Sequence, residues 1–255
     1  MIEVWLIPAD VEAEQARALY EFLDPDERDR AARTPAGPQR HRFIAAHAVA
    51  RQLTAAAADL PPERVRWRRG PHGRPEAVGL EREWSVNLST SGGWALFALA
   101  PADGGRLDPV GVDLEPVPAD GAAARLAHRY FPQGETGEGA AEFTVRWTRK
   151  EAYTKAFGGR LADGLRTPAG PLTPGPHLLT GPLGPCTVTD LPAPPGHRAA
   201  LARRGAHHLD PQLRTYPPTR PHTDPRATSR TEPDHATAPS APAAQPANAA
   251  RRPRP

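Results

Sequence analysis

The sequence is almost without lysine: thirty of its 32 basic residues are arginines, and the two lysines are Lys150 and Lys155. Its single cysteine, Cys186, excludes an internal disulfide framework and fits a reducing compartment. No apolar run approaches the roughly 18 residues that a membrane-spanning helix needs. The arginines are spread along the chain, whereas nucleic-acid-binding proteins gather them on one face. We therefore expect a protein that binds neither nucleic acid nor a membrane.

The two ends of the chain also lack particular features. Residues 1–8 contain an early acid and only a short apolar run, unlike a secretion signal, so we expect a cytoplasmic protein. Residues 206–255 contain eleven prolines, no glycine and only two large aliphatic side chains. Such a segment buries too little apolar area to offset the entropy lost on ordering. We predict that residues 206–255 form a disordered tail rich in proline, alanine and arginine.

The rest of the chain alternates between strand patterns, with a period of two residues, and helix patterns, with a period near 3.6. Strands are predicted at residues 2–7, 65–69, 84–88, 94–100, 110–114, 187–191 and 198–203, and helices at 11–23, 26–33, 40–60, 122–131 and 139–157. The order of these elements predicts an α+β fold. We expect two lobes, residues 1–105 and 106–205, because the loop at 101–108 separates two similar successions of strand and helix.

Both lysines lie in one helical segment, Trp147-Thr-Arg-Lys-Glu-Ala-Tyr-Thr-Lys155. An ammonium is a compact point charge that meets a single phosphate oxygen, whereas a guanidinium is a flat fork of donors. With Trp147 packed in the core, we expect Lys150, Glu151 and Lys155 to project from a neighbouring stripe of the helix. This pattern favours a phosphate site beside a carboxylate. The alternative is a solvated helix face with an ordinary Glu–Lys pair worth about 0.3 kcal/mol.

A second motif, Gly111-Val-Asp-Leu-Glu115, lies on a predicted strand. Alternate side chains share a face, so Asp113 and Glu115 point one way while their apolar neighbours enter the core. Two close carboxylates repel unless a cation lies between them, and Mg²⁺ typically takes one or two carboxylates together with substrate phosphate. Glu151 could supply a third carboxylate. The alternative is a strand end with two solvated acids.

Two weaker motifs could meet phosphate. The segment Asn87-Leu-Ser-Thr-Ser-Gly-Gly93 places hydroxyls and backbone N–H groups at a strand end, although taken by itself it is better explained as a tight turn between strands. Arginines in the segment Gly70-Pro-His-Gly-Arg-Pro75 and at residues 40–42 could contact a nucleotide phosphate, but surface arginines are usually only solvated.

Taken together, these motifs resemble the Sfp-type 4′-phosphopantetheinyl transferases. The likeness is carried by Gly73-Arg-Pro75, Asn87-Leu-Ser-Thr-Ser91, Gly111-Val-Asp-Leu-Glu115 and the segment from Trp147 to Gly158, in this order and spacing. It covers most of residues 1–205 and none of the tail. The resemblance implies two similar lobes related by a pseudo-twofold axis in a monomeric, cytoplasmic enzyme.

The activity implied by the resemblance is Mg²⁺-dependent transfer of the phosphopantetheine arm of coenzyme A to a serine of an apo carrier protein, with release of 3′,5′-ADP. The partners would be acyl or peptidyl carrier proteins of fatty-acid, polyketide or nonribosomal peptide synthases. By position, the residues matching the family's metal ligands are Asp113, Glu115 and Glu151. Those matching its coenzyme A contacts are Arg42, Arg74, Ser89, Thr90, Lys150 and Lys155. Lys155 and Glu151 would be catalytic, with Glu151 accepting the serine proton directly or through a water.

One residue departs from the family pattern. The family usually has Ser-His-Ser where this chain has Ser89-Thr90-Ser91. Thr90 can donate one hydrogen bond but carries no charge, so coenzyme A would bind more weakly unless a nearby arginine substitutes. The alternative function is therefore a non-catalytic coenzyme A-binding protein that regulates or scaffolds a biosynthetic complex. An arginine-rich nucleic-acid binder would leave the acidic residues unexplained.

Overall fold

The computed structural model describes residues 1–136 and 139–216, which form one compact unit. The helices are α1 (Ala13–Tyr20), α2 (Pro25–Arg33), α3 (Pro38–Ala57), α4 (Asp120–Tyr130), α5 (Ala140–Phe157) and α6 (Leu161–Leu165). The strands are β1 (Glu3–Pro8), β2 (Arg66–Arg69), β3 (Pro75–Val78), β4 (Trp84–Ser91), β5 (Trp94–Pro101), β6 (Val110–Pro116), β7 (His177–Gly181), β8 (Gly184–Leu191), β9 (His197–Arg204) and β10 (Gln212–Thr215). This mixture confirms the predicted α+β class. None of the described helices is both long and apolar enough to span a membrane.

The first sheet has the strand order β10-β1-β5-β4. Both faces of β5 are buried: Phe97 and Leu99 pack with helices α1 to α3, and Leu96 packs with the second half of the chain. Helix α2 begins with a capping box, in which the Asp24 carboxylate accepts the Glu27 N–H at 2.8 Å and the Glu27 carboxylate accepts the Asp24 N–H at 3.1 Å. The box fixes the start of α2 beside the sheet.

The second sheet has the order β6-β9-β8-β7 and is antiparallel throughout. Helix α5 crosses β6 and β9 at very close range. A β carbon added to Gly111 would lie 2.2 Å from the Ala152 carbonyl oxygen and 2.4 Å from the Ala156 nitrogen. Glycine is therefore required in the Gly-Val-Asp-Leu-Glu motif because the helix backbone rests directly on the strand. This close packing brings α5 against the carboxylates of β6.

Replacing Gly111 with alanine is expected to destabilise the protein by about 1–3 kcal/mol, because the new methyl group must push α5 away from β6. Urea unfolding of the variant and the parent measures the difference. Gly121→Ala is the matched control, since a β carbon there meets nothing closer than an Arg125 side-chain nitrogen at 3.6 Å. Equal destabilisation of both variants would contradict the close contact at Gly111.

Three polar side chains of β4 join the two sheets. The N–H groups of Val110 and Val112 donate at 2.9 Å to the Ser85 hydroxyl and the Asn87 side-chain oxygen, respectively, and the Leu114 N–H donates to Ser89 at 3.4 Å. Side chains at alternate positions of β4 thus accept hydrogen bonds from the backbone N–H groups of β6, in place of backbone-to-backbone hydrogen bonds. The Ser-Val-Asn-Leu-Ser pattern fixes the register between the halves.

The two halves have the same connectivity. In the first half, β5 pairs antiparallel with both β1 and β4, which gives the order β1-β5-β4. In the second half, β9 pairs antiparallel with both β6 and β8, which gives the order β6-β9-β8. The chain passes from the first sheet to the second between Pro101 and Val110, a loop that contains the predicted boundary at residue 105. The first half, however, also includes a strand from the far end of the chain.

That strand corrects the predicted start of the tail. Residues 206–216 are part of the folded unit: β10 pairs in parallel with β1, and Leu209 is buried. The Tyr216 hydroxyl donates to the Gln52 side-chain oxygen at 3.1 Å. Composition missed this segment because β10 gains its stability from a distant strand and not from its own apolar content. The predicted tail from residue 217 onward lies outside the described residues.

Leu209→Ala is expected to cost about 2 kcal/mol or more of unfolding free energy, because the leucine belongs to the core between the sheets. Leu178→Ala is the control, since Leu178 is 57% exposed on the edge strand β7. Chemical denaturation distinguishes the two. A neutral effect of Leu209→Ala would support the original prediction that the tail begins at residue 206.

Candidate active site

The centre of the candidate site is the Asp113 carboxylate. Asp113 is fully buried on β6, and its Oδ1 lies 2.5 Å from the Lys155 Nζ of α5. The Ser89 hydroxyl donates to the same oxygen at 3.0 Å and accepts from Lys155 at 3.1 Å. Strand β4, strand β6 and helix α5 thus each contribute one side chain. The Lys155 side chain is still 29% exposed, so its ammonium can reach a ligand.

Glu115 and Glu151 complete an acidic group around Asp113. Burial, followed by the negative charges of Asp113 and Glu151, raises the pKa of Glu115 to about 7. Burial and then Asp113 likewise raise the pKa of Glu151, while Lys155 opposes the change. The structure therefore brings together the three carboxylates that the motifs singled out. Mutual repulsion of this kind is relieved when a cation or a proton enters the group.

The carboxylates fit a hard divalent cation by their chemistry. Asp113 Oδ2 is buried and has no hydrogen-bond partner in the described part of the chain, so it is available as a ligand. Carboxylate oxygens are the donors that Mg²⁺ prefers. Within residues 1–136 and 139–216, however, no three acidic, histidine or cysteine side chains already converge on a single metal position. Mg²⁺ binding by Asp113, Glu115 and Glu151 stays a prediction.

Lys150 does not reach this site, which corrects the prediction that it contacts coenzyme A. Its side chain is fully buried on another face of α5, where the ammonium lies 2.8 Å from Glu135 Oε2 and donates to the Thr167 carbonyl oxygen. The ammonium also lies 4.7 Å from the centre of the Phe131 ring. Lys150 therefore ties the loop before α5 to the loop after α6.

Two further predicted coenzyme A contacts have internal roles. The hydroxyl of Ser89 donates once and accepts from Leu114 and Lys155, which uses its hydrogen-bonding capacity. Arg74 donates to the carbonyl oxygens of Ala156 and Val110 at 2.8 and 3.1 Å, and to Ser85 at 2.9 Å. Ser89 therefore positions Asp113 and Lys155, and Arg74 joins the two halves; nucleotide binding by either residue stays a prediction.

A cavity of about 600 Å³ opens on the other face of β4. Because side chains alternate along a strand, Thr90 faces this cavity while Ser89 faces Asp113. Arg30 of α2 and Arg69 of β2 also line it, together with the acidic residues Asp24, Asp26 and Glu27. Partial burial and then the charge of Arg69 lower the pKa of Arg30. Glu27 and Asp24 offset part of the charge of Arg30. The neighbouring guanidiniums can still pair with the phosphates of an anionic ligand.

The sequence motifs did not identify Arg30 or Arg69. Each is one of thirty arginines, and only their positions on α2 and β2 in the wall of one cavity distinguish them. The predicted nucleotide contact Arg42 is absent from the cavity lining and pairs with Asp10 at 2.5 Å. Position along the chain was therefore a poor guide to which arginines surround the cavity.

Comparison with known proteins agrees with this arrangement. The sequence pattern of the 4′-phosphopantetheinyl transferase superfamily matches residues 109–174, which contain Asp113, Glu115, Glu151 and Lys155. The chain is 31% identical over 176 residues to slr0495 of Synechocystis sp., which carries a provisional name as a 4′-phosphopantetheinyl transferase; the match covers 64% of this chain and 67% of that protein. It is 29% identical over 171 residues to the 4′-phosphopantetheinyl transferase HetI of Nostoc sp., covering 63% and 70%. The chain therefore belongs to the 4′-phosphopantetheinyl transferase family.

Proposed function

We propose that this protein transfers the 4′-phosphopantetheine arm of coenzyme A to a serine of an apo acyl or peptidyl carrier protein, as a monomer, and releases 3′,5′-ADP. The observation that carries the proposal is the contact of Lys155 with buried Asp113, beside Glu115 and Glu151. Both a cation and a proton acceptor are thus available at one position. Phosphoryl-type transfer depends chiefly on such positioning and charge neutralisation.

In the proposed reaction, the serine oxygen of the carrier attacks the β-phosphorus of coenzyme A. The bond from that phosphorus to the bridging oxygen breaks, and 3′,5′-ADP leaves with the bonding electrons. Glu151 accepts the serine proton; its raised pKa makes it a better base than an ordinary carboxylate. Asp113, Glu115 and Glu151 would hold Mg²⁺, which neutralises charge on the diphosphate when bound.

Lys155 supplies the protein's own positive charge to the diphosphate. Its ammonium is fixed by Asp113 and Ser89 on one side and is partly exposed on the other. A preorganised charge of this kind needs little rearrangement as negative charge develops on the leaving oxygen. We assign the stabilisation of the leaving 3′,5′-ADP to Lys155.

The nucleotide end of coenzyme A is proposed to occupy the 600 Å³ cavity beyond Thr90. Ser89 and Thr90 are adjacent, so a ligand passing this strand end can contact both Lys155 and the cavity. Arg30 and Arg69 would bind its phosphate groups and supply the charge that Thr90 lacks. Thr90 itself can donate one hydrogen bond.

The direct test is a modification assay on a panel of apo carrier proteins from fatty-acid, polyketide and nonribosomal peptide synthases. With coenzyme A and Mg²⁺, mass spectrometry should detect the phosphopantetheine increment on at least one carrier. Chelation of Mg²⁺ should stop the reaction and its return should restore it. Coenzyme A binding without any modified carrier would instead support a regulatory or scaffold protein.

A further inference from the structure

His47 lies in the wall of the nucleotide cavity and is not part of the transfer site. It lies on α3 with its side chain 18% exposed, and its ring is 4.1 Å from the ring of Phe43, centre to centre. Nδ1 is 3.5 Å from Glu27 Oε1, and the second ring nitrogen has no hydrogen-bond partner among the described residues. The Arg30 guanidinium lies over the ring of the same Phe43, 4.9 Å from its centre.

The carboxylate beside His47 is held in its charged form by a buried arginine. Arg51 is 1% exposed and donates to Glu27 at 2.7 Å and to Asp24 at 2.5 Å. Burial opposes the ionisation of Glu27, but its bonds to His47 and Arg51 outweigh burial and lower the pKa of Glu27. His47 therefore has a fixed anionic neighbour on the protein side.

Positively charged groups, which oppose protonation of His47, face it from the cavity side. Arg30 on α2 and Arg69 on β2 place positive charge near the ring, and Glu27 and Asp24 offset part of the charge of Arg30. The cavity wall also contains Asp24, Asp26 and Arg68. Burial, followed by the two guanidiniums, lowers the pKa of His47, while Glu27 acts in the opposite direction. Without a bound anion the lowered pKa of His47 favours the neutral imidazole near pH 7, although Glu27 can stabilise the charged form.

We infer that His47 takes up a proton when coenzyme A binds. The inference rests on the proposed function, in which an anionic phosphate of coenzyme A pairs with Arg30 and Arg69. A bound phosphate of about −2 charge neutralises the guanidiniums that repel a protonated imidazole, and leaves Glu27 to stabilise it. His47 then donates through both ring nitrogens and binds the ligand more tightly.

Proton uptake by His47 makes the affinity for coenzyme A depend on pH, and the sign of this dependence follows from thermodynamic linkage. A group that gains a proton on binding makes the complex stronger as pH falls towards the pKa of the free group. For His47 this range lies below its ordinary pKa of about 6.5. Removing the 3′-phosphate from the ligand should weaken the coupling, so His47 would favour coenzyme A over its dephosphorylated form most strongly under mildly acidic conditions.

Isothermal titration calorimetry tests the inference on the full-length protein with Mg²⁺ present. Coenzyme A is titrated at pH 6.5 and pH 7.5 in two buffers of different ionisation enthalpy, and the proton uptake is obtained from the difference. We expect the parent protein to take up several tenths of a proton more than His47→Asn at pH 6.5, out of a maximum of about one. Titration of the phosphate, Glu115 and Glu151 is common to both proteins and cancels in the comparison.

Equal proton uptake by the parent and His47→Asn would overturn the inference while leaving the proposed function intact. Absence of coenzyme A binding would overturn both. If the variant does not fold, the ring resonances of His47 in the parent protein give a second measurement by NMR. The pKa of His47 should rise on addition of coenzyme A and rise less with dephospho-coenzyme A; an unchanged or lowered pKa would reject the coupling.

Discussion

Glu151→Gln is expected to lower kcat for carrier modification by roughly 10³-fold while leaving the protein folded. Glutamine keeps the shape of the side chain but cannot accept the serine proton or contribute charge to a Mg²⁺ site. It also removes one of the carboxylates that raise the pKa of Glu115, so the folded state should not lose stability. Steady-state kinetics on a single carrier and thermal unfolding measure the two effects.

Glu142→Gln is the matched control, because Glu142 is exposed on the same helix and lies in its first turn. It should keep parental kcat. Coenzyme A affinity, measured separately by calorimetry, should change far less than kcat in Glu151→Gln if the carboxylate acts mainly in the transition state. Full activity of Glu151→Gln would reject its assignment as base and metal ligand.

Much of the transfer site could be predicted because it depends on local spacing. Alternation along β6 places Asp113 and Glu115 on one face, and the i,i+4 spacing of Glu151 and Lys155 places them on one face of α5. Both relations hold in the structure, where the four side chains form one electrostatic group. Spacing alone does not place the strand against the helix; a shared metal site for the three carboxylates suggests that contact, and the family resemblance supports it.

The error over Lys150 has a geometric reason. Five residues on a helix correspond to a rotation of about 140° beyond a full turn, so Lys150 and Lys155 cannot share a face. Their shared rarity in the sequence suggested a shared role, whereas the helix period separates them. Lys150 is turned to the interior, and Lys155 is turned to β6.

Other features depended on contacts that sequence patterns do not contain. Strand β10 pairs with the edge of β1, and Arg30 and Arg69 meet at the cavity because α2 and β2 both contribute to its wall. Neither Arg30 nor Arg69 differs locally from an ordinary surface arginine. Non-local pairing and packing of this kind is where tertiary structure overrides composition.

Substitutions of the two lysines are expected to have different effects, one on stability and one on activity. Lys150→Met is expected to lower the free energy of unfolding by about 3 kcal/mol, because it leaves Glu135 buried without one of its cations and removes the contact with Phe131.

Lys155→Arg should unfold like the parent but lose roughly tenfold or more in kcat, because a flat guanidinium cannot take the place of the compact ammonium between Asp113 and Ser89.

A double variant decides whether the cost at Lys150 comes from an unpaired charge. Glu135→Gln removes the buried carboxylate charge, so Lys150→Met combined with Glu135→Gln should be more stable than Lys150→Met alone. Arg146, which lies 3.2 Å from Glu135, also donates to the Gly170 carbonyl oxygen and so keeps a partner in either case. Denaturation measures stability, and coenzyme A titration measures binding in the same samples. If Lys150→Met were as stable as the parent and weakened only coenzyme A binding, Lys150 would act at the phosphate after all, and its buried pairing with Glu135 would be wrong.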